Sequence, residues 1–139
     1  MKPIQALLCA VILLSGIFLL PGCGNNNNTN SASITGTWNW TSRRNVGINN
    51  GATAVDTTVQ IPAGYSTLTF TSSGTFYGVH WPSGTYHVSG NTLNLIDSGT
   101  TAAGVNYTIN TLDAHNLNIS SSDTFGGSSI VQTYYGLSR

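Results

Sequence analysis

The side chains able to do acid–base, nucleophilic or metal chemistry are few: His80, His87, His115, Asp56, Asp97, Asp113, Asp123, Cys9 and Cys23, with no Glu anywhere. A general acid–base pair would have to be Asp with Asp. All four Asp fall at or near expected turns or strand ends, where a short carboxylate bonds its own backbone. No Gly-x-Ser-x-Gly elbow, phosphate loop or His-Glu-x-x-His is present in the sequence, so no catalysis is expected. His80 and His87 flank one expected hairpin. With Pro82-Ser83-Gly84 as its loop, Trp81 pairs with Thr85, His80 with Tyr86 and Val79 with His87. The two imidazoles then project to opposite faces and cannot share an ion. His115 falls in a separate turn and no thiol remains for a closed site. Neither a metal nor a cofactor is expected.

Charge narrows the classes further. Beyond Gly22 the chain carries Arg43, Arg44 and Arg139 against the four Asp, a formal net charge of −1. A nucleic-acid binder needs a basic stripe to displace counterions, and none exists here. A length of 139 residues allows one domain.

Two elements must position whatever the domain does. The first is an N-terminal address: Lys2 gives a positive start, and Ala6–Leu20 is a fifteen-residue run broken only by Ser15 and Gly16. That is short for a membrane helix, which needs about 20 residues, and suits the apolar stretch of a secretory signal. The run ends in Leu20-Pro21-Gly22-Cys23, which resembles the lipobox of bacterial lipoproteins. The resemblance implies a signal peptide over 1–22, a diacylglyceryl group and further acylation on Cys23, and membrane attachment through those chains. Two or more chains hold stably, at about 0.8 kcal/mol per buried CH₂. Gly24, where inner-membrane retention signals carry Asp, implies the outer membrane. Cys9 leaves with the signal and Cys23 is consumed by lipid, so no disulfide is expected. Residues 23–33 continue as a polar, Asn-rich tether, spanning roughly 17 Å as a flexible coil.

The second element is the domain itself, residues 34–139. Short alternating segments rich in Thr, Tyr, Trp, Val and Ile, divided by Gly, Ser, Asn and Pro, predict an all-β fold. Strands are expected near Thr35–Arg43, Val55–Ile61 (or a long loop there), Ser66–Thr71, Thr75–Trp81, Thr85–Ser89, Thr92–Asp97, Val105–Thr111, Asn116–Ser121 and Ile130–Leu137. A Gly90-Asn91 turn sets Val88 opposite Leu93 and Tyr86 opposite Leu95. Ser72-Ser73-Gly74 sets Phe70 opposite Phe76. Leu112 and Leu117 face each other, with a bulge expected near Asn110–Thr111. With no Lys to guard sheet edges, a closed antiparallel up-and-down barrel of about eight strands is expected; a two-sheet sandwich is the alternative. A monomer follows from closure.

Gly36-Thr37-Trp38, then Leu68-Thr69-Phe70 and Gly74-Thr75-Phe76, then Gly84-Thr85-Tyr86 and Asn91-Thr92-Leu93-Asn94-Leu95, resemble the small lipocalin-like lipoproteins of bacteria. Arg139, closing the last strand, fits the same pattern. The resemblance implies a small barrel at the cell envelope and, by analogy with lipocalins, a bound small hydrophobic molecule. Trp38 and Trp40, separated by Asn39, should both point inward with Phe70, Phe76, Tyr86 and Tyr107. Those six rings either line a cavity or fill it. His80, expected on the inner face near the rim, either orients a ligand's polar end or bonds backbone. The other reading of function is a non-catalytic structural or interaction protein, meeting protein or glycan through a neutral Thr/Asn/Ser surface.

Overall fold

The computed structural model describes residues 32–99 and 103–139. The expected signal peptide, Cys23 and nearly all of the expected tether lie outside the described residues. Nine antiparallel strands follow in chain order: β1 Gly36–Asn49, β2 Ala52–Gln60, β3 Thr67–Phe70, β4 Thr75–Val79, β5 Gly84–Ser89, β6 Thr92–Asp97, β7 Val105–Leu112, β8 Asn116–Phe125 and β9 Ser129–Ser138. Strands β3 to β9 form a meander, and β1 pairs with both β3 and β9, closing an eight-stranded barrel. The sandwich alternative is thereby excluded. Strand β2 is the ninth, paired to β1 outside the closed ring.

The hairpins carry the registers their apolar residues demand. Phe70 sits opposite Phe76, Val88 opposite Leu93, Tyr86 opposite Leu95 and Leu112 opposite Leu117. Gly90 has φ +58°, which a primed hairpin turn needs at its first central position. The β7–β8 register slips between Ile109 and Thr111, the bulge expected there. Together these place Trp38, Leu68, Phe70, Phe76, Leu93, Leu117 and Ile119 in one core, each at most 1 % exposed.

Two regions differ from expectation. The first strand was expected to stop at Arg43; it runs on to Asn49 and turns through Asn50-Gly51, both at positive φ (51° and 78°), into β2. Asn-Gly is the strongest short-range hairpin signal, because both central residues of a type I′ turn need φ > 0. What was open between strand and loop is thus a regular strand, Ala52–Gln60. Along β1, Gly36–Asn39 pair with β3 and Ser42–Asn49 pair with β2 on the same edge. Strand β8 likewise outruns its expected end, and Ser121–Phe125 pair with β9 alone. The outer parts of β2, β1, β9 and β8 therefore form a four-stranded flap continuing one wall past the barrel rim.

The second difference is the β4–β5 connection. Expected pairing of Trp81 with Thr85 does not occur; the pairs are Thr75 with Thr85 and Phe76 with Gly84. Beyond Phe76 the two strands splay, and His80 takes a left-handed φ of +62° that ends the strand.

One barrel end is closed by the segment leading into β1 and by Arg139 after β9. Ile34 packs into the core beneath Trp38, whose indole Nε1–H donates to the Ile34 carbonyl at 2.7 Å. The Arg139 guanidinium lies 4.2 Å from the Trp38 ring centroid and donates to the carbonyls of Thr35, Ala114 and Ser33.

Candidate ligand pocket at the barrel mouth

The opposite end is different. There β1 delivers Trp40, β7 Tyr107 and β9 Tyr135, all on the inner face, and the β4–β5 connection folds Trp81 over them. Trp40 and Trp81 meet edge to face at 5.7 Å between centroids. Tyr135 lies 5.7 Å from Trp40, 5.4 Å from Trp81 and 5.9 Å from Tyr107. Offset and edge-on pairs at these distances satisfy the ring quadrupoles. The register shift at Thr41, between Trp40 and Ser42, lets Trp40 stay inward while its Nε1–H donates to Ser42 O at 2.8 Å.

The four rings, with Arg43, His80, Pro82, Leu95, Asp97 and Val105, line a cavity of about 240 Å³. That lies just below the roughly 300 Å³ at which drug-sized sites begin, so it suits a small guest. Its electrostatics are nearly neutral. Burial, then Tyr135 and the carboxylates of Asp97 and Asp123, push the Tyr107 hydroxyl up to about 12. Burial likewise raises Tyr135, against the opposing pull of Arg43. Both phenols stay protonated at neutral pH and offer O–H groups. Arg43 stands exposed at the rim with no hydrogen-bond or ion-pair partner among the described residues. The Trp81 Nε1–H is buried and has no partner among the described residues either. An unpaired buried donor costs about 1–3 kcal/mol, which an acceptor brought by a guest would recover.

The seven expected site residues divide. Trp40, His80 and Tyr107 line the cavity. Trp38, Phe70 and Phe76 do not reach it; they are core, 0 %, 1 % and 1 % exposed, and fill the barrel interior. Tyr86 packs edge-on against Phe70 at 4.9 Å and donates its O–H to Thr71 O, away from the cavity. Of the two readings of the inward rings, filling therefore holds below the rim and lining holds at it. His80 meets the cavity from the rim and not from the inner face: it is exposed, its backbone is left-handed, and its imidazole stacks 4.4 Å from the Tyr65 ring with Nδ1 2.9 Å from Tyr65 O. Trp81, Tyr135 and Arg43 were not among the expected ligand residues. Tyr135 had a signal in strand alternation; Trp81 had none, because the splay that turns it inward is invisible in local pattern.

The carboxylates follow expectation in part. Asp113 sits in its turn, accepting from the His115 and Asn116 backbone N–H groups, which hold it below the usual carboxylate range. Asp97 ends β6 and Asp123 lies near the end of β8, as expected, whereas Asp56 lies in the middle of β2. Asp56 is held by a two-pronged bond from Arg44, at 2.8 and 2.6 Å, which lowers it. No group of three or more metal-ligating side chains occurs among the described residues.

The chain matches no protein-family profile, no curated protein and no solved structure.

Proposed function

We propose that this protein is a lipid-anchored barrel of the bacterial cell envelope that takes a small apolar molecule into the aromatic mouth. The observation carrying the reading is the ring cluster of Trp40, Trp81, Tyr107 and Tyr135 around an open cavity, with an unpaired indole N–H beside it. A core built only for stability would have closed over such rings, as it does around Trp38 at the other end. The neutral phenols and lone Arg43 suit a guest with an apolar body and one accepting or anionic end.

Lipid attachment is supported by Leu20-Pro21-Gly22-Cys23 and the preceding apolar run. Ile34, the first core residue after the proposed tether, lies at the closed end of the barrel, opposite the mouth. A lipocalin-like description accords with the closed eight-stranded meander; fold by itself does not bring function with it.

The test is titration of the membrane-extracted protein with octanoate and with octanol, read by tryptophan emission. A saturable change is expected with both, tighter for octanoate, and weakened at least tenfold by Tyr135→Ala or Tyr107→Ala, which leave all three Trp in place. A non-saturating response, or one unmoved by both variants, refutes the ligand reading. Mass spectrometry of the N-terminal peptide tests the anchor separately: a diacylglyceryl group on Cys23 supports it, and an unmodified N-terminus with Met1 retained overturns it.

A further inference from the structure

Closure removes the edges of a barrel, but β2 restores one. All nine of its residues are exposed, and β1 is its sole partner strand among the described residues. Native edge strands are guarded by Lys, Pro, a bulge or an inward charge. Between Val55 and Gln60 there is none of these: no Lys, no Pro, and the single charge, Asp56, is already neutralised by Arg44. The bulge, at Ala54, lies before this stretch.

The hydrogen-bonding phase of the free edge follows from one bond. Ile61 N–H donates to Thr41 O at 2.8 Å, so Ser42 and Gln60 form a non-hydrogen-bonded pair. By alternation, Val55, Thr57 and Val59 turn their backbone groups toward β1, while Asp56, Thr58 and Gln60 turn theirs outward. Side chains alternate in the same way. Val55 and Val59, 54 % and 46 % exposed, stand on the face shared with Arg43, Gly47, Tyr135 and Val131.

The segment Val55-Asp56-Thr57-Thr58-Val59 is self-complementary about Thr57. We propose that β2 is a docking edge for the β2 of a second copy of this chain, paired antiparallel with Thr57 facing Thr57 across a two-fold axis. In that register Val55 of each copy lies opposite Val59 of the other, and the two exposed Val pairs share one face. Asp56 lies opposite Thr58, and both direct outward N–H and C=O groups at each other, giving four backbone hydrogen bonds. Shifting the axis one residue to Asp56 sets two carboxylates face to face, and shifting it to Thr58 separates the Val pairs. Either alternative loses what the Thr57 register supplies. The two flaps become one continuous sheet. This revises the monomer expected from closure and stands independently of the ligand reading.

The test uses the whole chain in membranes, under mild oxidation. Thr57→Cys puts two thiols across a non-hydrogen-bonded pair, where Cα atoms come within about 4.5 Å and a disulfide forms without strain. A disulfide-linked pair at least fivefold above both unaltered chain and Thr85→Cys, an exposed position on β5, is expected. Adding Thr58→Pro should abolish it: this removes an outward N–H that β1 does not use, so the β1–β2 ladder survives while the edge is blocked. Unchanged tryptophan emission shows that the variant is folded. Cross-linking at Thr57 no greater than at Thr85, or undiminished by a folded Thr58→Pro variant, overturns the proposal.

Discussion

Replacing Arg139 with Ala removes the clasp that joins the end of β9 to the segment before β1 at the closed end of the barrel. The guanidinium contributes a cation–π contact at 4.2 Å from the Trp38 centroid and bonds of 2.8, 2.9 and 3.3 Å to the carbonyls of Thr35, Ala114 and Ser33. At an exposed site the cation–π contact is worth about 0.5–1 kcal/mol. The three carbonyls can turn to water once released, so each bond counts at about 0.5 kcal/mol, the low end for a net protein hydrogen bond. Together the loss is about 2 kcal/mol, a large share of the ~5–15 kcal/mol that holds a domain folded. Urea unfolding followed by tryptophan emission measures it directly, and the thermal midpoint should fall by about 8–12 °C. Arg139→Lys keeps the charge but loses the planar fork, and should recover less than half. Refutation would be an Arg139→Ala unfolding free energy within about 0.5 kcal/mol of the parent, or full recovery by Lys, which would reduce the clasp to bulk charge.

Three further outcomes follow from the same contacts. Gly78→Ala drives a Cβ into the Thr67 carbonyl and the Leu68 backbone, and should cost about 2–3 kcal/mol by urea titration, since backbone cannot yield as a flexible side chain does. Leu93→Ala, at a position 0 % exposed, opens a core cavity worth about 2–5 kcal/mol on the same assay. Tyr107, raised to about 12 in the fold from its ordinary value near 10, keeps its proton longer folded than unfolded. Its contribution is therefore complete below about pH 10 and lost as pH rises toward 12. Stability should slope downward there, by about 1–2 kcal/mol after allowing for the ring's partial exposure, and Tyr107→Phe should flatten the slope.

Legibility in the sequence varied with the range of the interaction. Hairpin registers were readable because the partners are close and the turn chemistry is explicit: Gly90-Asn91 sets Val88 against Leu93, and Ser72-Ser73-Gly74 sets Phe70 against Phe76. The β1–β2 hairpin was equally readable from Asn50-Gly51 and was missed, because β2 lacks the buried apolar face used to recognise strands. The site was half readable. Alternation brought Trp40 and Tyr107 inward, but it sent Trp38, Phe70 and Phe76 inward as well, and nothing local tells a ring that fills from a ring that lines.

From residue order alone came the β class, most strand spans, the turn-specified registers and the lipobox resemblance at Cys23, since each depends on neighbours a few residues apart. The β1–β9 register that completes the expected closure, the stacking of His80 on Tyr65, the inward fold of Trp81 and the edge of β2 came only with the tertiary structure. Those features depend on groups brought together from distant parts of the chain. Trp81 finds Trp40 and Tyr135, and β1 finds β9, only after the barrel has curved round on itself.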